Sequence, residues 1–209
     1  MSGPLGSSQW MYASGEDYTI DQSLRFNNDD SAYLSKTFAS AGNRRTWSFS
    51  VWFKRGNMGG VDNSGNKHHF FTGTDENNLV RIADDCLQIY TYASGVDYGW
   101  ISTAVIRDPS AWYHALFVSD TTNGTAVQRQ RIYLNGVELT DKKVDYANPP
   151  QNYEGLLNSA GTHRVGSSPS GTYFDGLMAE AHFIDGTALT PSSFGETGTY
   201  GEWKPIEYD

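Results

Sequence analysis

The sequence contains a single cysteine, Cys86, among its 209 residues. No disulfide can therefore form within the chain, which excludes the small secreted domains that several disulfides hold together. Basic residues are also scarce, since 15 Lys and Arg stand against 24 Asp and Glu for a formal net charge of −9 at pH 7. Nucleic acids and anionic membranes bind clustered Lys and Arg, so neither nucleic-acid binding nor membrane insertion is expected.

Long apolar runs and helical periodicity are missing as well. The chain has no stretch of 18 apolar residues that could form a membrane-spanning helix, and its first residues lack the charged and apolar regions of a signal peptide. In their place the sequence carries 22 Gly, 13 Tyr and 6 Trp. This composition favours short strands joined by many turns.

Residues 46–53 have the clearest strand pattern. Trp47, Phe49, Val51 and Phe53 recur at every second position, which places all four side chains on one face of a strand. Because that face is strongly apolar, we expect it to face the core. Further strands are predicted at residues 23–26, 32–34, 68–72, 79–83, 86–92, 100–105, 111–119, 162–166 and 173–185, and a helical turn is predicted at 190–194.

A β-hairpin is predicted at residues 131–139. Its centre is Asn135-Gly136, and these two residue types accept the positive φ angles of a two-residue type I′ turn between paired strands. Many short strands with regular turn signals indicate an all-β fold, a two-sheet antiparallel β-sandwich or jelly roll.

Nine motifs together resemble the laminin G-like, concanavalin A-like domains of bacteriophage structural proteins, those of marine phages especially. The motifs are SLRF at 23–26, DSAYL at 30–34, NRRTWSFSVWFKRG at 43–56, DPSAWYH at 108–114, IYLNG at 132–136, YFDG at 173–176, FIDG at 183–186, LTPSSFGE at 189–196 and WKP at 203–205. The resemblance implies a concanavalin A-like jelly roll over residues 21–209, preceded by an N-terminal arm over residues 1–20.

The same resemblance implies a role in adhesion or particle assembly. The resulting expectation is a non-catalytic phage virion protein, a capsid decoration or a fibre component, made in the host cytoplasm and located on the virion surface. Its expected partners are other virion proteins and further copies of itself. Trp10, Met11 and Tyr12 are three large apolar residues in the arm, and they are the predicted docking residues. The alternative is an adhesin that binds a host surface glycan, and a polysaccharide hydrolase is the least supported function.

Carbohydrate binding is predicted at residues 90–100. Sugars stack on exposed aromatic rings while carboxylates and amides bind their hydroxyl groups, and Tyr92, Asp97, Tyr98 and Trp100 supply these groups in one short stretch. Tyr98 and Trp100, which flank a glycine, are expected to be exposed. The alternative for such aromatic side chains is that they fill the core of the sandwich.

Glu180 is the best acidic strand residue for glycoside hydrolysis, which requires two carboxylates in one cleft. Its neighbours at a spacing of two are Met178 and His182, so the second carboxylate is missing and no enzyme activity is expected. The resemblance also implies a structural calcium site, because related domains hold calcium with an Asp-Glu pair on this strand. This chain has Ala179-Glu180 at the matching place and so lacks the Asp. Asp30 with Glu180 is the predicted ligand set, and no other cofactor is expected.

Overall fold

The computed structural model describes residues 18–58 and 67–209, and within them the regular secondary structure is almost entirely β-strand. In chain order the strands are β1 Leu24–Phe26, β2 Leu34–Phe38, β3 Thr46–Arg55, β4 Lys67–Thr72, β5 Asn78–Ala83, β6 Cys86–Ala93, β7 Val96–Val105, β8 Tyr113–Asp120, β9 Gln130–Leu134, β10 Val137–Leu139, β11 Lys142–Asp145, β12 Gly161–Val165, β13 Gly176–Asp185, β14 Gly195–Thr197 and β15 Trp203–Pro205. Helix is limited in these residues to two three-residue 3-10 turns, Ala126–Gln128 and the predicted one at Pro191–Ser193. None of the described helices has the length and apolar character needed to cross a membrane.

Two large antiparallel sheets form a sandwich. The six-stranded sheet has the order β1-β13-β3-β8-β9-β10, and the seven-stranded sheet has the order β11-β7-β6-β5-β4-β12-β2. A third, two-stranded sheet pairs β14 with β15. The all-β, two-sheet antiparallel architecture predicted from the sequence is therefore confirmed.

The main core lies between the two large sheets. Four alternating side chains of β3 point into this core, and none is more than 4% exposed: they are Trp47, Phe49, Val51 and Phe53. Burial of an apolar side chain of this size contributes about 1.5–3 kcal/mol, so this one strand is a major source of stability. The facing residues of the seven-stranded sheet include Phe70, Phe71, Val80, Ile82, Leu87, Ile89 and Trp100.

The C-terminal segment covers part of the outer face of the six-stranded sheet. Leu116 and Val118 of β8 and Tyr133 of β9 point away from the main core, yet each is buried because Phe194 and Tyr208 pack near them. Trp203 of β15 donates a hydrogen bond from Nε1 to Nδ1 of His114, 3.1 Å away. The chain therefore has a second, smaller apolar cluster behind the six-stranded sheet.

The predicted hairpin is present as β9 and β10, with Val137 paired to Leu134 across the turn. Asn135 and Gly136 have φ angles of 47° and 81°, as a type I′ turn requires. A side chain at Gly136 would collide with the Trp203 ring, whose nearest carbon lies 2.5 Å from an ideal Cβ position. Glycine is thus required here both by the turn and by the docked C-terminal segment.

Candidate functional site

Trp100, one of the predicted sugar-stacking residues, is 5% exposed and belongs to the main core. Its indole nitrogen donates a hydrogen bond to the carbonyl oxygen of Gln130, 3.2 Å away. Tyr98, on the same side of β7, is half-buried and contacts the ring of Tyr153, with ring centroids 5.4 Å apart. The expectation that Trp100 is exposed is wrong, because its strand position faces the opposite sheet.

Tyr92 and Asp97, the other two predicted sugar-binding residues, are exposed. They are cross-strand partners in the β6–β7 hairpin, so they share the outer face of the seven-stranded sheet. This face also carries side chains from β5, from β6 and from the segment after β11. We call the set the Tyr90 face, and it consists of Arg81, Gln88, Tyr90, Tyr92, Asp97 and Tyr146.

The side chains of the Tyr90 face are connected to one another. The Arg81 guanidinium donates from Nε to Oε1 of Gln88 at 2.6 Å and lies 5.8 Å from the centroid of the Tyr90 ring. The Tyr90 hydroxyl donates to Oδ1 of Asp97 at 2.5 Å. The rings of Tyr90 and Tyr146 meet edge to face with centroids 5.8 Å apart. These contacts hold a cation, an amide, a carboxylate and aromatic rings in fixed relative positions.

Burial, together with the hydrogen bond to Asp97, raises the pKa of the Tyr90 hydroxyl above its ordinary value. Tyr90 therefore remains a neutral phenol at physiological pH and donates its proton to the carboxylate. Asp97 keeps its second oxygen available to accept from a ligand, and Arg81 can only donate. Together the face offers both donors and acceptors beside aromatic surface.

Gly99 lies beside the Tyr90 face, at a close approach of two strands. It lies opposite Tyr90 in the β6–β7 pairing, and the backbone of Tyr146 donates a hydrogen bond to its carbonyl oxygen. Its φ of 113° disfavours any side chain, and an added Cβ would collide with the carbonyl oxygen of Ile89. Glycine is therefore required at this buried position by the close pairing of β6 with β7.

A turn signal in the sequence could have identified this face. Ser94 and Gly95 form a two-residue turn with φ angles of 51° and 82°, so the hairpin pairing of Tyr92 with Asp97 follows directly from the turn. Residues 97 and 99 then share a face with 90 and 92, whereas 98 and 100 face the opposite way. Arg81 and Tyr146 were missed because their positions depend on pairing with more distant parts of the chain.

Glu180, the predicted metal and acid candidate, lies in a β-bulge. Its φ is 47°, and the register of β13 against β3 shifts between Ala179 and His182. The expectation that Met178, Glu180 and His182 share one face is wrong, because the bulge leaves Met178 in the main core and His182 outside. The carboxylate of Glu180 accepts a hydrogen bond from the Tyr18 hydroxyl at 3.0 Å and interacts with Nε2 of His182 at 2.7 Å.

Asp30 and Glu180 do not meet in one site. Leu24 pairs with Met178 and Phe26 with Gly176, so Glu180 lies beyond the first residue of β1 and Asp30 lies beyond its last. Asp30 instead accepts a hydrogen bond from the side chain of Asn27 at 2.7 Å. Within residues 18–58 and 67–209, no three His, Cys, Asp or Glu side chains are grouped as metal ligands would be.

Ser50 and His114 form the one close serine–histidine pair of the described residues, with Oγ and Nε2 2.8 Å apart. Trp203 can only donate, so Nδ1 of His114 must accept and Nε2 must carry the ring proton. His114 therefore donates to Ser50, whereas a general base would have to accept the serine proton. Burial also lowers the pKa of His114 to about 3, which makes the ring a poor base.

Trp10, Met11 and Tyr12, the predicted docking residues, lie outside the described residues, as does most of the predicted arm over residues 1–20. Their role stays a prediction, and so does the division of the chain into an arm and a domain over residues 21–209.

A family model described as the concanavalin A-like lectin/glucanases superfamily matches residues 26–193. The match covers more than half of the chain and spans strands of both large sheets, so the protein belongs to this superfamily. No curated protein sequence matches the chain.

Several solved structures are similar in fold. Domain 4 of a GH43 extracellular arabinanase from Geobacillus stearothermophilus, in complex with arabinotriose, has a TM-score of 0.58 and 20% identity over 87% of this chain and 77% of that one. The heptameric SAP-like pentraxin from Limulus polyphemus has a TM-score of 0.51 and 14% identity over 83% and 76%. The binding domain of Paraclostridial Mosquitocidal Protein 1 has a TM-score of 0.56 and 13% identity over 83% and 42%. At these identities the likeness shows the fold alone.

Proposed function

We propose that the protein is a non-catalytic carbohydrate-binding domain and that the Tyr90 face binds the glycan. The observation that carries the proposal is the connected set of Arg81, Tyr90 and Asp97 on the outer face of the seven-stranded sheet. A sugar needs apolar surface for its ring faces and fixed donors and acceptors for its hydroxyl groups. The Tyr90 face supplies both without further rearrangement.

In this binding mode the exposed ring of Tyr92 and the half-buried ring of Tyr146 would contact the faces of sugar rings. Asp97 would accept hydrogen bonds from sugar hydroxyl groups, and Arg81 would donate to ring or hydroxyl oxygens. A fold-level relative supports the proposal, since domain 4 of the arabinanase was solved in complex with arabinotriose.

The absence of catalysis is part of the proposal. Hydrolysis by retaining or inverting glycosidases uses two carboxyl groups about 5–9.5 Å apart, and Asp97 is the single carboxylate of the Tyr90 face. The hydrogen bond between Ser50 and His114 runs from the histidine to the serine, whereas a catalytic base would accept the proton of the serine. The single carboxylate of the Tyr90 face and the direction of the Ser50–His114 hydrogen bond both favour glycan binding over glycan hydrolysis.

Replacing Tyr92 by alanine should weaken glycan binding by about 10-fold or more, because an aromatic contact at the centre of a binding face contributes at least about 1.4 kcal/mol. Asp97→Asn should also weaken binding, by removing the charge while keeping the shape. Glycan-array screening followed by calorimetry on the strongest neutral ligand measures both effects. Tyr92 is 41% exposed, so the melting temperature should stay nearly unchanged.

Tyr200→Ala is the matched control, because Tyr200 is 94% exposed and lies outside the Tyr90 face. Wild-type affinity in this variant and weak binding in Tyr92→Ala would support the proposal. Equal affinities in the wild type, Tyr92→Ala and Tyr200→Ala would refute the assignment of the glycan site to the Tyr90 face. The absence of any glycan bound by the wild type would refute it as well.

We further propose that the domain serves on a phage particle as a decoration or fibre component that attaches the particle to a host surface. The support is the set of motifs that resembles phage structural proteins, above all LTPSSFGE at 189–196 and WKP at 203–205. These two motifs form the 3-10 turn, β14 and β15, the segment that covers the six-stranded sheet. Virion proteins and further copies of this chain are the proposed partners.

Light scattering on the full chain and on a variant without residues 1–17 tests the assembly part of this proposal. A closed oligomer of the full chain that dissociates after the deletion is the expected result, since Trp10, Met11 and Tyr12 would then hold the copies together. A monomer in both cases that also fails to bind phage capsids or tails would contradict the virion role. Repeating the measurement with calcium and with a chelator tests the structural calcium ion that the resemblance implies.

A further inference from the structure

Two adjoining clefts lie on the outer face of the six-stranded sheet, opposite the Tyr90 face. The tryptophan cleft has a volume of about 310 Å³ and is lined by Trp52, Trp112, Ala179 and the segment from Ile20 to Ser23. The basic cleft has a volume of about 320 Å³ and is lined by Arg25, Lys54, Asp175 and Leu177 among others. Neither cleft includes a residue of the Tyr90 face.

The strand register makes the two clefts neighbours. Leu177 of β13 pairs with Arg25 on one side and with Lys54 on the other. Phe53 pairs with Tyr113, so Lys54 lies opposite Trp112 when this antiparallel register is continued by one residue. Adjacent strands are about 4.8 Å apart, and one row across the sheet therefore presents a cation, an apolar residue, a second cation and an indole.

The next row forms the floor of the tryptophan cleft. Ala179 pairs with Trp52, and the small alanine side chain leaves space above the sheet next to the indole. Trp52 is 7% exposed at the bottom of the cleft, whereas Trp112 is 40% exposed at its side. Asp21 and Gln22 add polar groups at the rim. The cleft thus combines aromatic surface with hydrogen-bonding groups.

The charge of the basic cleft is opposite to that of the whole chain, which carries a net charge of −9. Neither Arg25 nor Lys54 forms a salt bridge with any part of the chain that the structure describes. Asp175 also lines this cleft and lies near Arg25, which tends to lower the pKa of its carboxyl group, although burial raises it overall. Lys54 is the cation next to Trp112 in the row, and it lies near enough to Asp108 to help lower the pKa of that exposed carboxyl group.

We infer that the tryptophan cleft and the basic cleft together bind an acidic sugar, a pyranose ring that carries a carboxylate, within a polyanionic glycan. The ring would stack on Trp112, as apolar sugar faces do on indoles. Its carboxylate would bind the ammonium group of Lys54, with Arg25 holding the next acidic residue of the glycan. Asp21 and Gln22 would bind hydroxyl groups. This site lies on the other sheet from the Tyr90 face and does not depend on the first proposal.

Calorimetry on the full chain with matched oligosaccharides tests the inference. The probes are trimers of galacturonate, mannuronate and glucuronate, each compared with its methyl ester, which keeps the sugar ring and removes the charge. At least one acid should bind about 10-fold more tightly than its ester at low salt, and this difference should shrink as salt screens the charges.

Two substitutions separate stacking from charge. Trp112→Ala should weaken the acid and its ester alike, by about 10-fold. Lys54→Gln should weaken the acid by about 5-fold and leave the ester unchanged, because only the charged ligand uses the ammonium group. Tyr92→Ala is the control on the opposite face and should leave the binding of the acidic trimers unchanged. Unfolding curves of each variant identify any loss that comes from misfolding.

Four outcomes would overturn the inference. They are the absence of binding by all three acids, equal affinity for acid and ester, an acid affinity unaffected by Lys54→Gln, and a loss of acid binding in Tyr92→Ala that Trp112→Ala does not share. The last outcome would move the acidic ligand to the Tyr90 face. A fifth outcome, acid binding that appears only after deletion of residues 1–17, would show that the protein's own N-terminal segment occupies the clefts, and it would overturn the inference for the intact protein.

Discussion

Replacing Asp85 by asparagine is expected to lower the free energy of unfolding by about 3–5 kcal/mol, because it removes the carboxylate that faces a buried guanidinium. The Arg55 side chain is fully buried, and its Nη1 donates to Oδ1 of Asp85 at 2.9 Å. Arg55 ends β3 of one sheet, and Asp85 lies in the turn after β5 of the other, so the pair joins the two sheets. The asparagine side chain would keep the shape of the carboxylate, and asparagine tolerates the φ of 64° at this position.

Urea unfolding followed by tryptophan fluorescence measures this effect, and Arg107→Gln is its control. Arg107 donates to the other oxygen of Asp85 at 2.9 Å, but its side chain is 69% exposed. Removing this exposed partner should cost about 0–1 kcal/mol. The double variant Arg55→Met with Asp85→Asn should recover much of the lost stability, since a buried ion pair can be replaced by uncharged side chains at little cost. A loss of less than about 1 kcal/mol in Asp85→Asn alone would contradict this expectation and show that the other partners of Arg55, among them the carbonyl oxygen of Ile106 and Nε2 of His68, compensate its charge.

Acidification is expected to destabilise the fold well above the pH at which carboxylates titrate. Burial lowers the pKa of both His69 and His114 from 6.5 to about 3, so between these values the unfolded chain binds protons that the folded chain excludes. The stabilising contribution is therefore complete above about pH 6.5 and is lost progressively as the pH falls toward 3. Each histidine should contribute a slope of about 1.4 kcal/mol per pH unit in this window.

The window between about pH 5 and pH 6.5 isolates the histidines, because most carboxylates stay ionised there. Free energies of unfolding measured across it should fall with a slope that grows from about 1.4 kcal/mol per pH unit at pH 6.5 to about 2.6 at pH 5 for the two residues together, because the unfolded histidines are only half protonated at pH 6.5. His114→Gln and His69→Gln should each remove a similar share of the measured slope, and part of the remainder comes from His163, whose pKa burial also lowers. A flat profile in the wild type would mean that water or a proton reaches these rings in the folded state.

Much of the fold could be predicted from local sequence patterns. The alternation in residues 46–53 defined the core face of β3, since an antiparallel strand buried on one side repeats with a period of two. Asn135 and Gly136 defined the β9–β10 hairpin because few residue pairs accept a type I′ turn. Both patterns are physical requirements of the elements themselves, and both were confirmed.

The candidate site could be predicted only in part, because it depends on which face of a strand is buried. The aromatic stretch at residues 90–100 was recognised, but alternation alone did not say whether Tyr92 or Trp100 faces solvent. Trp100 faces the opposite sheet. The turn at Ser94 and Gly95 places it on the other face from Tyr92, but the turn does not say which of the two faces is buried. β11 was not predicted, and Tyr146, which follows it, therefore went unnoticed. The bulge at Glu180 likewise has no turn residue in the sequence to reveal it.

The position of β13 between β1 and β3 has a consequence for how the chain reaches this structure. β3 is complete at Arg55, but its partner on one side begins only at Gly176, and β12 similarly separates β4 from β2 in the other sheet. During synthesis both sheets therefore keep an unpaired edge until the last quarter of the chain has left the ribosome. Such edges pair readily with other chains, and pairings so distant in sequence form slowly. A nascent or prematurely terminated chain is thus the form of this protein most prone to aggregate.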